Sequence, residues 1–464
     1  MRDFLPTASE LSKLTNFHTR RSEHRVGVYG YGVVGREVVE FLREQAVRFI
    51  RVIDGNPNLK HPDIDQVEWC IGELRDAWLS DLDVLFIGPG VDPRQPLLAT
   101  AREDGLLIIG ELALLGNLPA QVIAITGTNG KSTTTAWAGY LLDQLDVPSF
   151  IGGNLGDPIT GWCRRGYLEG SGVLELSSYQ LESAYGFSPR VSLITNLASD
   201  HASRYESDAE YFEAKFRVFQ YQDSDGICIM RTDVLPKLSG RPQSKLWTFG
   251  NEVAGDGFRA HSGAWHGVGL FADTVLDWNQ LKIPGAHNAE NALCAVLSVW
   301  GLRGETDLLT ELWSKAAGFS GLEHRLEFIA EVDGVRFYND SKATNDESAA
   351  TALEALDGPI VWLAGGVSKQ AGYDASMKYL NPKVRCLIAF GRAASEIAQE
   401  ARVRGYDIDS IIEVSSLGDA ITLAAEQAER GVSVLLSPAC ASFDEFKNFE
   451  ERGHFFKEKV LELH

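Results

Sequence analysis

The sequence predicts an α/β protein built of doubly wound, mainly parallel sheets, and two kinds of observation predict it. Short apolar runs alternate with helical stretches along most of the chain, and two glycine-rich turns each follow an apolar run and open a helix. A chain of 464 residues also exceeds what one core organises; at about 150 residues per domain the expectation is three domains.

The first segment begins with the run Arg25-Val26-Gly27-Val28-Tyr29 and the turn Gly30-Tyr31-Gly32-Val33-Val34-Gly35. A helical pattern follows through Leu42, and a second strand, Phe49 to Ile53, ends on Asp54. This is a βαβ start with a G-x-G-x-x-G turn and an acid at the tip of the second strand, which taken alone suggests NAD. Val84 to Ile87, the turn Gly88-Pro89-Gly90, and Leu106 to Ile109 with Glu111 after it continue the parallel rhythm.

The second segment opens with the most informative stretch. Strand Val122 to Ile125 leads into Thr126-Gly127-Thr128-Asn129-Gly130-Lys131-Ser132-Thr133, and a helix is predicted over Thr134 to Leu145. Small residues let backbone amides turn onto phosphate oxygens, and the helix N-terminus adds partial positive charge. Lys131 reaches the terminal phosphates, and a hydroxyl of Ser132 or Thr133 can ligate Mg²⁺. The residues therefore predict binding and cleavage of a nucleoside triphosphate, through a loop two residues shorter than the usual G-x-x-x-x-G-K-[ST]. Strands Val173 to Leu176 and Val191 to Thr195 follow, then a helix from Asp208 to Phe219 and an apolar helix from Ala292 to Trp300. The third segment, after Gly318-Phe319-Ser320-Gly321, holds strands Val335 to Tyr338, Ile360 to Leu363, Cys386 to Phe390 and Val432 to Leu436.

Composition narrows the function classes. With 44% hydrophobic and 23% charged residues the chain is ordinarily globular. It has no apolar run of membrane-spanning length and no apolar stretch behind a basic start, so a cytoplasmic protein is expected. A formal charge of −21 argues against nucleic acid, which needs clustered Lys and Arg, but leaves room for a small anionic substrate held by local amides and single lysines. The six cysteines show no C-x-x-C pair, which argues for reduced thiols in or near the core.

Candidate site residues cluster at strand ends. Glu175 closes an apolar strand in the phosphate-loop segment, where a second Mg²⁺ ligand would stand; read alone it is equally a solvated strand-end acid. Asp200 and His201 follow the next strand and arrive at the same edge. Lys215 lies in an amphipathic helix, where a lysine ordinarily snorkels to solvent. The third segment adds His324-Arg325, Asn339-Asp340-Ser341-Lys342-Ala343-Thr344, Gly365-Gly366-Val367-Ser368-Lys369 and the stretch Ser437 to Gly453. Their lysines, arginine and hydroxyls suit a carboxylate substrate and a leaving phosphate.

Together, Gly127 to Thr133, Gly152-Gly153-Asn154, Leu174 to Ser178, Asp200-His201, Gly285 with His287, Asn288 and Asn291, His324-Arg325, Asn339 to Thr344 and Ser437 to Asp444 resemble the Mur ligase family, and its glutamate-adding branch above all. The resemblance covers nearly the whole chain after the first two dozen residues. It implies a Rossmann-like N-terminal domain over residues 1–118, a central phosphate-loop ATPase-type domain over 119–320 and a Rossmann-like C-terminal domain over 321–464. It implies an ADP-forming, ATP-dependent ligase that joins glutamate to UDP-N-acetylmuramoyl-L-alanine through an acyl phosphate. The setting would be peptidoglycan precursor synthesis, hence cell-wall biogenesis, cell shape and division, with the enzyme a monomer without nucleic-acid or membrane partners.

By the same resemblance the N-terminal glycine turn holds uridine diphosphate rather than NAD, with Gly30, Gly32, Asp54, Gly90, Asn154, Ser177, Gln180 and His201 on the precursor. Gly127, Thr128, Asn129, Gly130, Lys131, Ser132, Thr133, Asn288, Asn291, Arg325 and Asp340 would serve ATP. Lys342, Thr344, Lys369, Ser442, Phe443 and Phe449 would surround glutamate. Ser132, Glu175, His201 and Lys215, the last as a carbamate, would hold Mg²⁺ at two sites, and Lys131, His201, Lys215 and Lys369 would be catalytic. Carbamylation turns a cation into an anionic metal ligand. Three departures stand out: Ser199 and Ser203 replace expected acids, Val367-Ser368 replaces Asp-Gly, and Asp54-Gly55-Asn56 lacks the usual arginine or threonine. Addition of L-glutamate, a folate polyglutamylating ligase, an NAD oxidoreductase and a non-catalytic nucleotide binder remain the alternative readings.

Overall fold

Apolar runs buried on both faces assemble into three sheets. The computed structural model describes residues 6–116, 118, 121–154, 157–167, 169–198, 204–283, 285–304, 308–368 and 372–463. By internal packing the chain divides into two compact units, Met1–Gln280 with Asn291–Ala316, and Leu281–Glu290 with Ala317–His464.

The first unit carries two of the sheets. β1 (Arg25–Tyr29), β2 (Phe49–Asp54), β3 (Val67–Ile71), β4 (Val84–Ile87) and β5 (Leu107–Ile109) pair in parallel in the order β3-β2-β1-β4-β5. The order reverses between β1 and β4, and such a switch opens a crevice at the strands' carboxyl ends. Gly35 starts this crevice: a Cβ there would lie 1.9 Å from the Gly30 carbonyl oxygen, so no other residue lets the helix Val33–Glu44 approach so closely. β3 escapes a reading by apolar runs because it is an edge strand with Glu68 exposed between half-buried residues. The helix Ala8–Thr19 escapes it too, since only Leu14 and Phe17 of its polar sequence are buried; a reciprocal Thr7–Glu10 capping box marks its start.

The second sheet of this unit has nine strands in the order β14-β13-β12-β11-β10-β9-β6-β8-β7. These are β6 (Gln121–Thr126), β7 (Ser149–Gly153), β8 (Ser171–Glu175), β9 (Val191–Ile194), β10 (Ile227–Arg231), β11 (Lys245–Gly250), β12 (Asp256–His261), β13 (Ala264–Val268) and β14 (Val275–Asp277). Pairing is parallel from β7 to β12 and antiparallel from β12 to β14. β6 lies at the centre of the functional edge, between β8 and β9.

The second unit holds β15 (Glu327–Val332), β16 (Val335–Asn339), β17 (Ile360–Gly365), β18 (Val384–Phe390), β19 (Ile411–Val414) and β20 (Ser433–Ala439), ordered β15-β16-β20-β17-β18-β19. Only β15 runs antiparallel. Alternate residues fill two cores: Trp362 and Leu387 pack with Leu353 and Ile397 on one face, Leu363 and Ile388 with Ile421 and Phe456 on the other. All six cysteines are free and five are buried, as the sequence predicts. No helix among the described residues is long and apolar enough to cross a membrane.

Arg452, fully buried, fastens the strand ends of this unit. Its guanidinium donates to Ser341 Oγ (2.9 Å), Ser341 O (2.8 Å) and Cys440 O (3.1 Å). Burial lowers its pKa to about 10, still leaving it charged at neutral pH. Replacing it by Met is therefore expected to strand several buried acceptors, each worth about 1–3 kcal/mol, and to shift the urea midpoint of the C-terminal unit left by about 3 kcal/mol of stability. A shift under about 1 kcal/mol would show that the strand ends hold without it.

Candidate active site

The geometry of the phosphate loop follows from Gly127. Its φ of +142° is a glycine conformation, and a Cβ would lie 2.0 Å from Thr195 Oγ1 at the end of β9. The loop is then stitched to the segment after β9. Asn129 N donates to Asn196 Oδ1 (3.0 Å), Asn196 Nδ2 and Thr195 Oγ1 donate to Asn129 O (3.1 and 2.6 Å), and Thr128 N donates to Asn196 O (2.9 Å). The helix begins at Lys131, three residues earlier than the pattern predicts, so Ser132 and Thr133 lie in its first turn and Ser132 is buried. Asn291 approaches from the helix Ala286–Arg303, accepting at Oδ1 from Thr134 Oγ1 (3.3 Å). Asn288 stands one turn earlier on that helix, also buried.

Two lysines meet on one carbonyl. Lys131 Nζ donates to Gly127 O (3.0 Å) and Thr128 O (2.7 Å), and Lys215 Nζ donates to the same Gly127 O (2.7 Å). Lys215 is 1% exposed, with its ammonium 4.6 Å from the Tyr211 ring centroid, so the expectation of a snorkelling surface lysine is wrong. The helix is amphipathic, but Lys215 falls on its buried side.

Across β8, Glu175 is 2% exposed. Its Oε1 accepts from Asn154 Nδ2 (2.7 Å) and its backbone carbonyl from Asn154 N (2.8 Å), while Oε2 is buried without a hydrogen-bond partner among the described residues. The burial of Glu175 excludes the solvated strand-end acid, and a buried carboxylate oxygen with spare acceptor capacity is one that a cation suits. Ser177 and Gln180 cap each other. Ser177 N donates to Gln180 Oε1 (3.0 Å) and Gln180 N to Ser177 Oγ (3.2 Å), opening the short helix Ser178–Leu181. Asp200 and His201, with Ser199 and Ser203, lie outside the described residues.

The N-terminal crevice is a cleft of about 460 Å³ lined by Gly30, Gly32, Asp54, Asn56, Gly90 and Gln95 among others. Asp54 accepts from Tyr31 N (2.7 Å) and Asn56 N (2.9 Å), which rigidifies the glycine turn and leaves Gly30, Gly32 and Gly90 as open backbone walls.

In the second unit Asp340 accepts from Ser437 Oγ (2.7 Å) and Leu326 N (3.1 Å). Burial raises its pKa to about 7. Arg325 follows His324, whose Nδ1 lies 2.9 Å from Asn339 Nδ2. Lys342 Nζ lies 5.0 Å from the Phe449 ring centroid, Thr344 N donates to Lys342 O (2.8 Å), and Ser442 is buried. Phe443 is 71% exposed. Lys369 lies outside the described residues. Val367 and Ala441 exchange backbone hydrogen bonds (2.8 and 3.1 Å), which joins the loops after β17 and β20; the change from Asp to Val at 367 leaves that contact intact because it uses no side chain.

Sequence reasoning missed Asn196, Arg452 and Asp346. Asp346 accepts from Ala375 N (2.6 Å) and Ser376 N (2.9 Å) and so docks the helix Asp374–Met377. Asn196 had a usable signal, its place directly after a strand on the phosphate-loop edge.

Three family models match in register with the sheets: a Mur ligase MurD-like N-terminal domain over residues 24–110, a Mur ligase middle domain over 125–299 and a Mur ligase glutamate ligase domain over 324–440. The UDP-N-acetylmuramoylalanine--D-glutamate ligase of Caldanaerobacter subterraneus subsp. tengcongensis is 36% identical over 95% of this chain and 99% of its own. The enzyme of the same name from Pelotomaculum thermopropionicum is 34% identical over 95% and 98%. Among solved structures, the UDP-N-acetylmuramate-alanine ligase MurC of Thermotoga maritima shares the fold at a TM-score of 0.57 and 17% identity, covering 95% of this chain and all of its own.

Asp340 generates a pH prediction. Its folded pKa lies above its ordinary value of 3.8, so the native state keeps a proton that the unfolded chain releases. Its contribution to stability is complete below about pH 4 and is lost as pH rises toward 7. In nucleotide-free urea titrations the stability difference between wild type and Asp340→Asn is expected to move against wild type from pH 5 to pH 8. A difference independent of pH would contradict the raised pKa.

Proposed function

This chain belongs to the Mur ligase family, and on that premise we propose that it adds D-glutamate to UDP-N-acetylmuramoyl-L-alanine, forming ADP and phosphate, as a cytoplasmic monomer in peptidoglycan precursor synthesis. The relatives' names support the substrates. The observation that carries the chemistry is one sheet edge on which a phosphate loop with two lysines stands beside a buried carboxylate, one oxygen of which has no hydrogen-bond partner among the described residues. We set the modules at residues 1–118, 119–320 and 321–464.

A free carboxylate does not form a peptide bond unactivated. The precursor's alanyl carboxylate attacks the γ-phosphorus of ATP, ADP leaves, and the resulting acyl phosphate is attacked by the glutamate amine. The tetrahedral intermediate then expels phosphate. Amides from Gly127 to Ser132 cradle the nucleotide phosphates, and Lys131 turns from the loop carbonyls to the charge developing on the γ-phosphate. Asn154 holds Glu175 in place and reaches the acceptor, with Ser177 and Gln180 beside it. Asn288, Asn291, Arg325 and Asp340 hold the nucleoside. Lys342, Thr344, Lys369, Ser442 and Phe449 receive glutamate, with exposed Phe443 at the margin.

Glu175, Ser132 and His201 would hold Mg²⁺, which when bound would neutralise the phosphates and the incoming carboxylate, and Lys215 would join them as a carbamate. The support is electrostatic: two ammonium groups on the Gly127 oxygen repel one another, and carbamylation would remove one positive charge and add a negative one.

Phosphate release with UDP-N-acetylmuramoyl-L-alanine and each glutamate enantiomer tests the assignment, with D-glutamate expected to be the substrate. Turnover of L-glutamate alone would move the chain to the other stereochemistry, and turnover of tetrahydrofolate instead would remove the muramoyl acceptor. Lys131→Ala is expected to lose more than tenfold in kcat, the least that loss of a charge contact of about 1.5–3 kcal/mol predicts. Lys215→Ala is expected to be inactive and partly restored by short carboxylic acids; full activity in that variant contradicts the carbamate.

A further inference from the structure

The turn Gly88-Pro89-Gly90-Val91 walls the N-terminal cleft on one side, and Gly88, Pro89 and Val91 also face the helix Ser178–Leu181 of the central sheet. Arg204 bridges the two. One guanidinium nitrogen, Nη2, donates to Val91 O (3.1 Å) and to Glu182 Oε2 (2.5 Å), and the guanidinium lies 4.4 Å from the Tyr179 ring centroid. The Arg204 and Glu182 side chains are only 9% and 7% exposed. From the other direction Arg94, which grips Asp92, donates to Glu210 Oε1 (3.0 Å).

A buried ion pair is weak evidence for stability, because desolvation offsets much of the attraction. The joint between the two sheets is also held elsewhere. Glu111 Oε1 accepts from Thr160 N (2.7 Å) and Oγ1 (2.8 Å), and Arg164 pairs with Glu37 and Glu44 (both 2.7 Å). What distinguishes Arg204 is its position. It links a wall of the nucleotide cleft to the segment that follows Glu175 and carries Ser177 and Gln180. A planar guanidinium held over an aromatic ring while Nη2 donates to two acceptors has a fixed orientation, which a lysine ammonium lacks.

Resting on the ligase reading above, we propose that Arg204 is a positioning residue that sets the span between the nucleotide end and the reactive carboxylate end of the acceptor. An acceptor anchored at one end is delivered productively only if that span is held to a fraction of an ångström. Loosening it leaves each half-site intact and misaligns the molecule that bridges them.

The test compares wild type, Arg204→Lys and Glu182→Gln for UDP affinity by calorimetry, for KM of the UDP-linked acceptor and of ATP, for kcat and for Tm. For Arg204→Lys the acceptor KM is expected to rise tenfold or more and kcat to fall, with UDP affinity and the ATP KM unchanged within twofold. Glu182→Gln, which keeps an acceptor for the guanidinium, is expected to show the same pattern more weakly, and carries the test alone if the lysine variant does not fold. Equal weakening of UDP and acceptor, unchanged constants, or a fall in Tm with loss of all ligand binding each overturns the proposal. A wild type that binds UDP but neither binds nor turns over the acceptor defeats the ligase reading and this inference with it; an active wild type beside a lysine variant of unchanged acceptor KM defeats the inference alone.

Discussion

The functional edge of the central sheet depends on the backbone at Gly127. The loop passes so close to Thr195 that only a hydrogen fits at its Cα, and that approach places the Gly127 carbonyl where two lysines, 84 positions apart in sequence, both reach it. Lys131 reaches the Thr128 carbonyl as well, so the loop's carbonyls receive both cations, while Thr195 and Asn196 hold the loop itself.

The two units handle buried arginines differently, and the difference matches what each must hold. Arg452 is satisfied by carbonyls and a hydroxyl, so it clamps strand-end loops without placing a second charge among groups assigned to an anionic amino acid. Arg204 is balanced by Glu182, so it ties two walls together while adding no net charge to the space between them. Arg452 spreads its donors over three acceptors, whereas Arg204 places one nitrogen between a backbone carbonyl and a carboxylate. Asn154 and Glu175 follow a related logic: the asparagine occupies one carboxylate oxygen and leaves the other available.

The local signals were legible. β1, β2, β4, β5, β6, β8, β9, β16, β17, β18 and β20 are runs buried on both faces, and such runs announce themselves without their partners. The strands that went unread, β3, β7, β10 to β15 and β19, fall into two groups. Most are edge or hairpin strands with exposed positions, whose membership rests on pairing with distant residues; β10, apolar and buried, went unread although the turn Asp223-Ser224-Asp225-Gly226 announces it.

The sequence by itself determined the phosphate loop, the glycine turn at Gly30 and the family, because these depend on residue type at fixed short spacing. Tertiary structure decided which side of its helix Lys215 falls on, that Asn196 clamps the loop, and that Arg204 and Arg452 act as fasteners. Those outcomes join residues such as Arg452 and Ser341, 111 positions apart, or Arg204 and Val91, 113 apart. Parallel sheets bring strand ends together only through crossovers, so which side chains meet at one edge is fixed by strand order, a property that no local stretch of sequence carries.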